Sequence, residues 1–170
     1  MSQTADQNTE TKPTKETDTI KALLKAYGDY QKKIDYAEGR LEYLEYTQDA
    51  PSSPSLSGMP GGSRDRTSKQ ERNYLKKEEL RERLGDMYAG ESRKREEIEA
   101  LVEQMEKPEE QAAITMRYLD FASWRSISVT IYGQEPDYDE NEQRYLKRTF
   151  KIHGSALQTL ARIYAAQAER

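Results

Sequence analysis

Apolar residues recur along the first third of the chain at Ile20, Leu23, Tyr27, Tyr30, Ile34, Ala37, Leu41 and Leu44, alternately three and four positions apart, with charged residues between them. That alternation is the a/d seam of a helix that packs on another helix. Thr17 or Asp18 supplies an N-cap. At a rise of roughly 1.5 Å per residue, about 30 residues make a rod some 45 Å long. Gly28 and Gly39 each weaken it by about 1 kcal/mol relative to alanine, a cost the seam must offset. Residues 49–67, DAPSSPSLSGMPGGSRDRT, then break the pattern, because Pro51, Pro54, Pro60, Gly58, Gly61 and Gly62 forbid a continuous helix. Leu56 and Met59 within this linker are incidental or dock on a helix pair. A second long helix is predicted from Ser68 to Met105, carrying Leu75, Leu80, Leu84, Met87, Tyr88, Ile98, Leu101, Val102 and Met105. Its middle, Gly90 to Glu97, is polar on every face. Two amphipathic helices joined by a loop hide their stripes as an antiparallel hairpin, which a second copy would turn into four helices. A continuous parallel coiled coil is the alternative. Tyr27, Tyr30 and Tyr88 are expected to be packing residues.

Beyond Lys107 the period changes to short helices. Pro108 suits a first helical turn, and Glu109 and Glu110 complement its positive end. Ala112, Ala113, Met116 and Leu119 form an inner face, with Tyr118 beside it. Asp120, Phe121 and Ala122 make a turn. Ser123 caps a compact helix with Trp124, Ile127 and Ile131 on one side, and Gly133 ends it. Residues 134–143 hold five acids and no base, and a final helix begins between Asp139 and Gln143. The expected fold is all-α: a long helical hairpin or coiled coil over 17–107, followed by a three-helix helix-turn-helix over 108–170.

Composition sharpens this picture. A chain of 170 residues that is 34% charged, with a mean hydropathy of -1.10, is too polar for one large core and fits solvated helices burying narrow stripes. Residues 1–16 are nearly devoid of apolar side chains and are expected to be disordered. The absence of cysteine and the single histidine exclude thiolate chemistry and multi-histidine zinc sites. No apolar run approaches the roughly 20 residues that span a bilayer, and no signal-peptide core is visible, so the cytoplasm is the expected location.

Net charge is -4, so affinity for nucleic acid has to come from a local face. One exists. From Arg144 to Arg170 there are six bases against one acid. Arg144, Lys147, Arg148 and Lys151 fall on adjacent turns of the final helix, on the opposite side from Ile152, Ala156, Leu157 and Leu160. With Arg125, these are the candidate DNA-binding residues: arginine reads guanine and lysine meets phosphate. The competing reading is a solvated helix face, the usual fate of a charge run. His153 lacks partner ligands or a nucleophile and reads as structural. Trp124 reads as core. Asp137, Asp139 and Glu140 lack the spacing of a calcium loop and read first as a solvated loop, with nucleic-acid mimicry or autoinhibition of the basic helix as alternatives. No phosphate loop or catalytic constellation is present, so neither enzyme activity, a cofactor nor a metal is expected.

RYLDFASWRSISVTIYG followed by YLKRTFKIHGSALQTL resembles region four of bacterial sigma factors. It is most similar to a group of prophage-encoded proteins of Gram-positive bacteria with a sigma region-four-like C-terminus. The matching residues are Arg117 and Tyr118 at the end of the first helix, Trp124 opening the second, and Ile152, His153 and Gly154 in the third. Ser57-Gly58-Met59-Pro60 matches the loop that interrupts the helical coil of such proteins. The resemblance implies a phage regulator of transcription that binds double-stranded DNA at a promoter or acts on host RNA polymerase, with the coil as a homo-oligomer contact. The acidic join departs from the short turn of a standard helix-turn-helix. The rival reading is a protein-interaction or DNA-packaging adaptor that uses the coil as scaffold.

Overall fold

A computed structural model describes residues 15–49 and 69–168, and every regular element among them is helical. The elements are α1 (Lys15–Asp49), α2 (Lys69–Val102), α3 (Pro108–Ile114) continued by a π-helical turn (Thr115–Leu119), α4 (Trp124–Tyr132) and α5 (Glu142–Ala168). The tail expected to be disordered and the linker with its Ser57–Pro60 motif lie outside the described residues, except that residues 15, 16 and 49 are helical. Because α1 starts at Lys15, Thr17 and Asp18 sit inside its first turn rather than capping it. The chain divides into two compact units, one formed by residues up to Ala26 with those from Glu96 onward, the other by Tyr27–Arg95. The sequence pattern alone places a boundary near 107. The long helices are continuous in backbone, but their ends belong with the C-terminal helices.

Within the unit Tyr27–Arg95, α1 and α2 run antiparallel, which excludes the parallel coil there. Tyr27 donates to Glu91 at 2.5 Å, Tyr88 to Glu38, and Arg81 meets Glu45 at 2.6 Å, so partners on α2 fall in number as those on α1 rise. Tyr27, Ile34, Leu80 and Leu84 are buried. The polar middle of α2 is explained here. Gly90 lets the Tyr30 ring lie against the helix, since a Cβ there would stand 2.5 Å from the Tyr30 hydroxyl. Lys94 covers the same ring at 5.6 Å. Tyr88 is a correction. It is 45% exposed and reaches Glu38 through its hydroxyl, not through core packing. Burial, with the bond to Glu91 second, pushes the Tyr27 hydroxyl up to about 12.

In the other unit the buried apolar side chains include Ile20 and Leu24 from α1, Ile98, Leu101 and Val102 from α2, and Met105, Ala113, Ile114, Leu119, Ile127, Ala156, Leu157 and Leu160. Leu24, not the seam residue Leu23, is buried there. Glu110 is a second correction. It is 3% exposed, accepts from Ser155 of α5 at 2.7 Å, and pairs with Lys107 at 3.1 Å. Burial raises its carboxyl, but the bonds from Ser155 and Thr159 and the Lys107 charge outweigh it and leave the group below its ordinary value. A residue that reads as a helix-end charge is thus a polar tie between α3 and α5.

Candidate nucleic-acid interface

The turn that enters α4 is built from two local devices. The helix expected to run to Leu119 widens instead into a π turn, closed by Asp120 N–H donating to the Thr115 carbonyl at 3.1 Å. Such turns insert one extra residue and re-aim the chain. Phe121 then takes a positive φ of 53°, sparsely allowed for a bulky side chain. Arg117 ties the turn by donating to the Ala122 carbonyl at 3.1 Å. Ser123 caps α4 as its sequence signals, its Oγ accepting from Ser126 N–H at 3.1 Å. Gly133 ends α4 in right-handed rather than left-handed geometry.

These devices set one cluster. Arg117 lies 4.7 Å over the Trp124 ring, and Trp124 meets His153 and Phe150 of α5 edge-on, each at 4.9 Å. Tyr118 stacks on His153, with its hydroxyl 3.0 Å from Nε2. Burial, followed by the positive charges of Arg117 and Lys21, holds His153 down to about 4, so the ring is neutral at pH 7. Burial also raises the Tyr118 hydroxyl, which stays protonated and can donate to the ring. His153 is therefore a structural histidine bonded to a tyrosine. Trp124 is half-buried and joins α4 to α5.

The acidic join is folded rather than a solvated loop. Tyr138 is 7% exposed and donates to Ser128 at 3.2 Å. Tyr145 of α5 donates to Asp137, and its ring centroid lies 5.0 Å from that of Tyr132 and 5.4 Å from that of Tyr138. The Tyr145 bond is the main reason Asp137 sits below the usual carboxylate range. Sequence reading missed this role of the tyrosines. Their spacing at 132, 138 and 145 crosses two helices and a turn, so no single period reveals it.

All five candidate DNA-binding residues are exposed. Arg144, Lys147, Arg148 and Lys151 share one side of α5 and line a common shallow groove with Gln143. The acidic join reaches only the edge of that side: Arg144 is 3.8 Å from Asp137 and still 64% exposed. The Arg148 guanidinium lies over the rings of Tyr132 and Tyr145 at 5.4 and 5.6 Å, which holds the head group without neutralising its charge. Arg125 stands apart on the first turn of α4, paired with Glu142 at 2.7 Å and 76% exposed.

Searches of protein-family models, curated proteins and solved structures find no match to this chain.

Arg117, Tyr118 and Trp124, close in sequence, thus meet the distant His153 in one cluster that holds α5 against α4. Among the described residues no group of acids and histidine is arranged to hold a metal ion, and no helix is long and apolar enough to cross a membrane.

Proposed function

We propose that this chain is a DNA-binding regulator of transcription, of the phage type that resembles sigma factor region four, acting at a promoter or on RNA polymerase. The observation that carries the reading is the open cationic side of α5: Arg144, Lys147, Arg148 and Lys151 stay exposed although an acidic segment directly precedes the helix. With an overall charge of -4, affinity for a polyanion has to come from a local cationic face, and this side of α5 supplies one. The two helices α4 and α5, locked by Trp124 on Phe150 and His153, support a helix-turn-helix with α5 as the groove-facing helix. The test is duplex binding by the full chain as salt is raised. Lys147→Ala should reduce the slope of log affinity against log salt by roughly 1. An unchanged slope removes Lys147 from the interface.

One observation favours a protein-interaction adaptor as the second reading. Tyr36, Tyr43 and Tyr46 of α1 are 76%, 65% and 78% exposed on one side of the hairpin. Partner capture that survives loss of the cationic side of α5 would select it.

A further inference from the structure

The cationic side of α5 leaves open which of its side chains meet bases. At about 100° per residue, Gln143, Lys147, Phe150 and Gly154 fall within roughly 60° of arc. Cations flank this strip on both sides. Arg144, Lys151 and Arg148 follow on one flank, and Arg125 of α4 stands on the other, held by Glu142. A flat anionic surface would need cations on a single front; a helix seated between two phosphate walls needs them on both flanks.

Two features of the strip lack an explanation within the chain. Phe150 is 44% exposed, although its ring is braced edge-on by Trp124. Gly154 lies in mid-helix, where glycine is a poor helix former, yet nothing lies within 4 Å of the position a Cβ would take. Gly39 and Gly85 in the hairpin are equally open, so openness alone marks no site. At Gly154 it coincides with a braced, exposed ring one turn away and with cations on either flank.

Building on the DNA reading, we infer that Gln143, Lys147, Phe150 and Gly154 are the strip of α5 that faces the base edges of duplex DNA, with Phe150 set against a thymine methyl and Gly154 at the closest approach. Arg125, Arg144, Arg148 and Lys151 meet phosphates at the sides. The major groove admits a helix, and the thymine methyl is the apolar group it displays, so an aromatic edge reads thymine there without a hydrogen bond. Lys147 serves both strip and wall, since its long stem reaches either.

The experiment selects duplexes from a library with a randomised central tract using the full chain, then compares variants on the selected duplex. Replacing the read thymine by uracil, which lacks only the methyl, should weaken wild-type binding about fourfold, the worth of one buried methyl group. Phe150→Ala should lose that discrimination and keep the salt slope. Phe150→Leu should keep part of it. Gly154→Ala should raise the thermal midpoint of the free protein and yet weaken duplex binding, two opposite signs that a merely structural glycine would not give. Circular dichroism confirms that each variant is folded. Duplex binding that is indifferent to uracil, to Phe150→Ala and to Gly154→Ala overturns the inference and leaves the DNA reading standing. Preference for single strands over the duplex also overturns it. A wild-type chain that binds no duplex overturns both.

Discussion

At the scale of the residue, a half-buried histidine and a buried glutamate each tie fold stability to pH. His153 is held neutral, with its proton affinity lowered to about 4 against an ordinary value of 6.5. A depressed value means that its stabilising share is complete above the unfolded value and is lost as pH falls from about 6.5 through about 4. Its ring proton resonances should therefore stay flat from pH 8 to about pH 5.5 in an NMR titration, with any shift appearing below that. A midpoint near 6.5 would show a solvated ring and contradict the Tyr118–His153–Trp124 cluster. Glu110 is lowered as well, so its contribution stands above its ordinary value of 4.5 and disappears as pH drops through the folded value. Glu110→Ala leaves Ser155 and Thr159 without their acceptor and should cost about 1–3 kcal/mol in urea unfolding at pH 7. At pH 3 the wild-type advantage should shrink. The structural reading of His153 was legible in the sequence, but its Tyr118 partner and the tie made by Glu110 were not, because a glutamate in a first helical turn looks the same whether it faces water or a partner helix.

At the scale of the element, the glycines of the hairpin separate helix propensity from packing. Gly39 and Gly85 face open space, so alanine at either should stabilise the protein by about 0.5–1 kcal/mol. Gly90 is different, because a Cβ there meets the Tyr30 hydroxyl at 2.5 Å and Cζ at 3.3 Å. Gly90→Ala should gain nothing or lose stability, and Tyr30→Ala should restore the usual gain in the double variant. Thermal melts of the three glycine variants, of Tyr30→Ala and of the double variant decide this, and a Gly90→Ala gain equal to that at Gly39 would mean that Tyr30 does not pack there. The helices themselves were readable: the apolar spacing of α1, the Ser123 cap, and the ends near Gly133 and Glu142 agree with the structure within a few residues. The π turn and the left-handed Phe121 were not. Both are set by the path the chain must follow to bring Trp124 onto α5, a requirement no local pattern encodes.

At the scale of the whole molecule, charge is a matter of distribution. On the proposed DNA reading, a chain of net charge -4 meets phosphates through a local cationic face, and the salt dependence counts those contacts. Arg125, Arg144, Lys147, Arg148 and Lys151, at about 0.9 per phosphate contact, give a slope of roughly -4 if nearly all engage. Arg125 has to keep or exchange its pairing with Glu142 to do so. Glu142→Gln should therefore strengthen duplex binding, and a weaker complex would mean that Glu142 orients Arg125 rather than competing for it. The sequence by itself determined that the molecule is helical, that its long helices carry narrow apolar stripes, and that four cations share one side of the last helix. Those are properties of spacing, and spacing is written residue by residue. Only the tertiary structure decided that α1 and α2 pair antiparallel between Tyr27 and Arg95, that their other ends join the C-terminal helices, and that the acidic join folds onto tyrosines and leaves the cations open. These depend on which stripe meets which across tens of residues, and the same amphipathic pattern is satisfied by more than one partner.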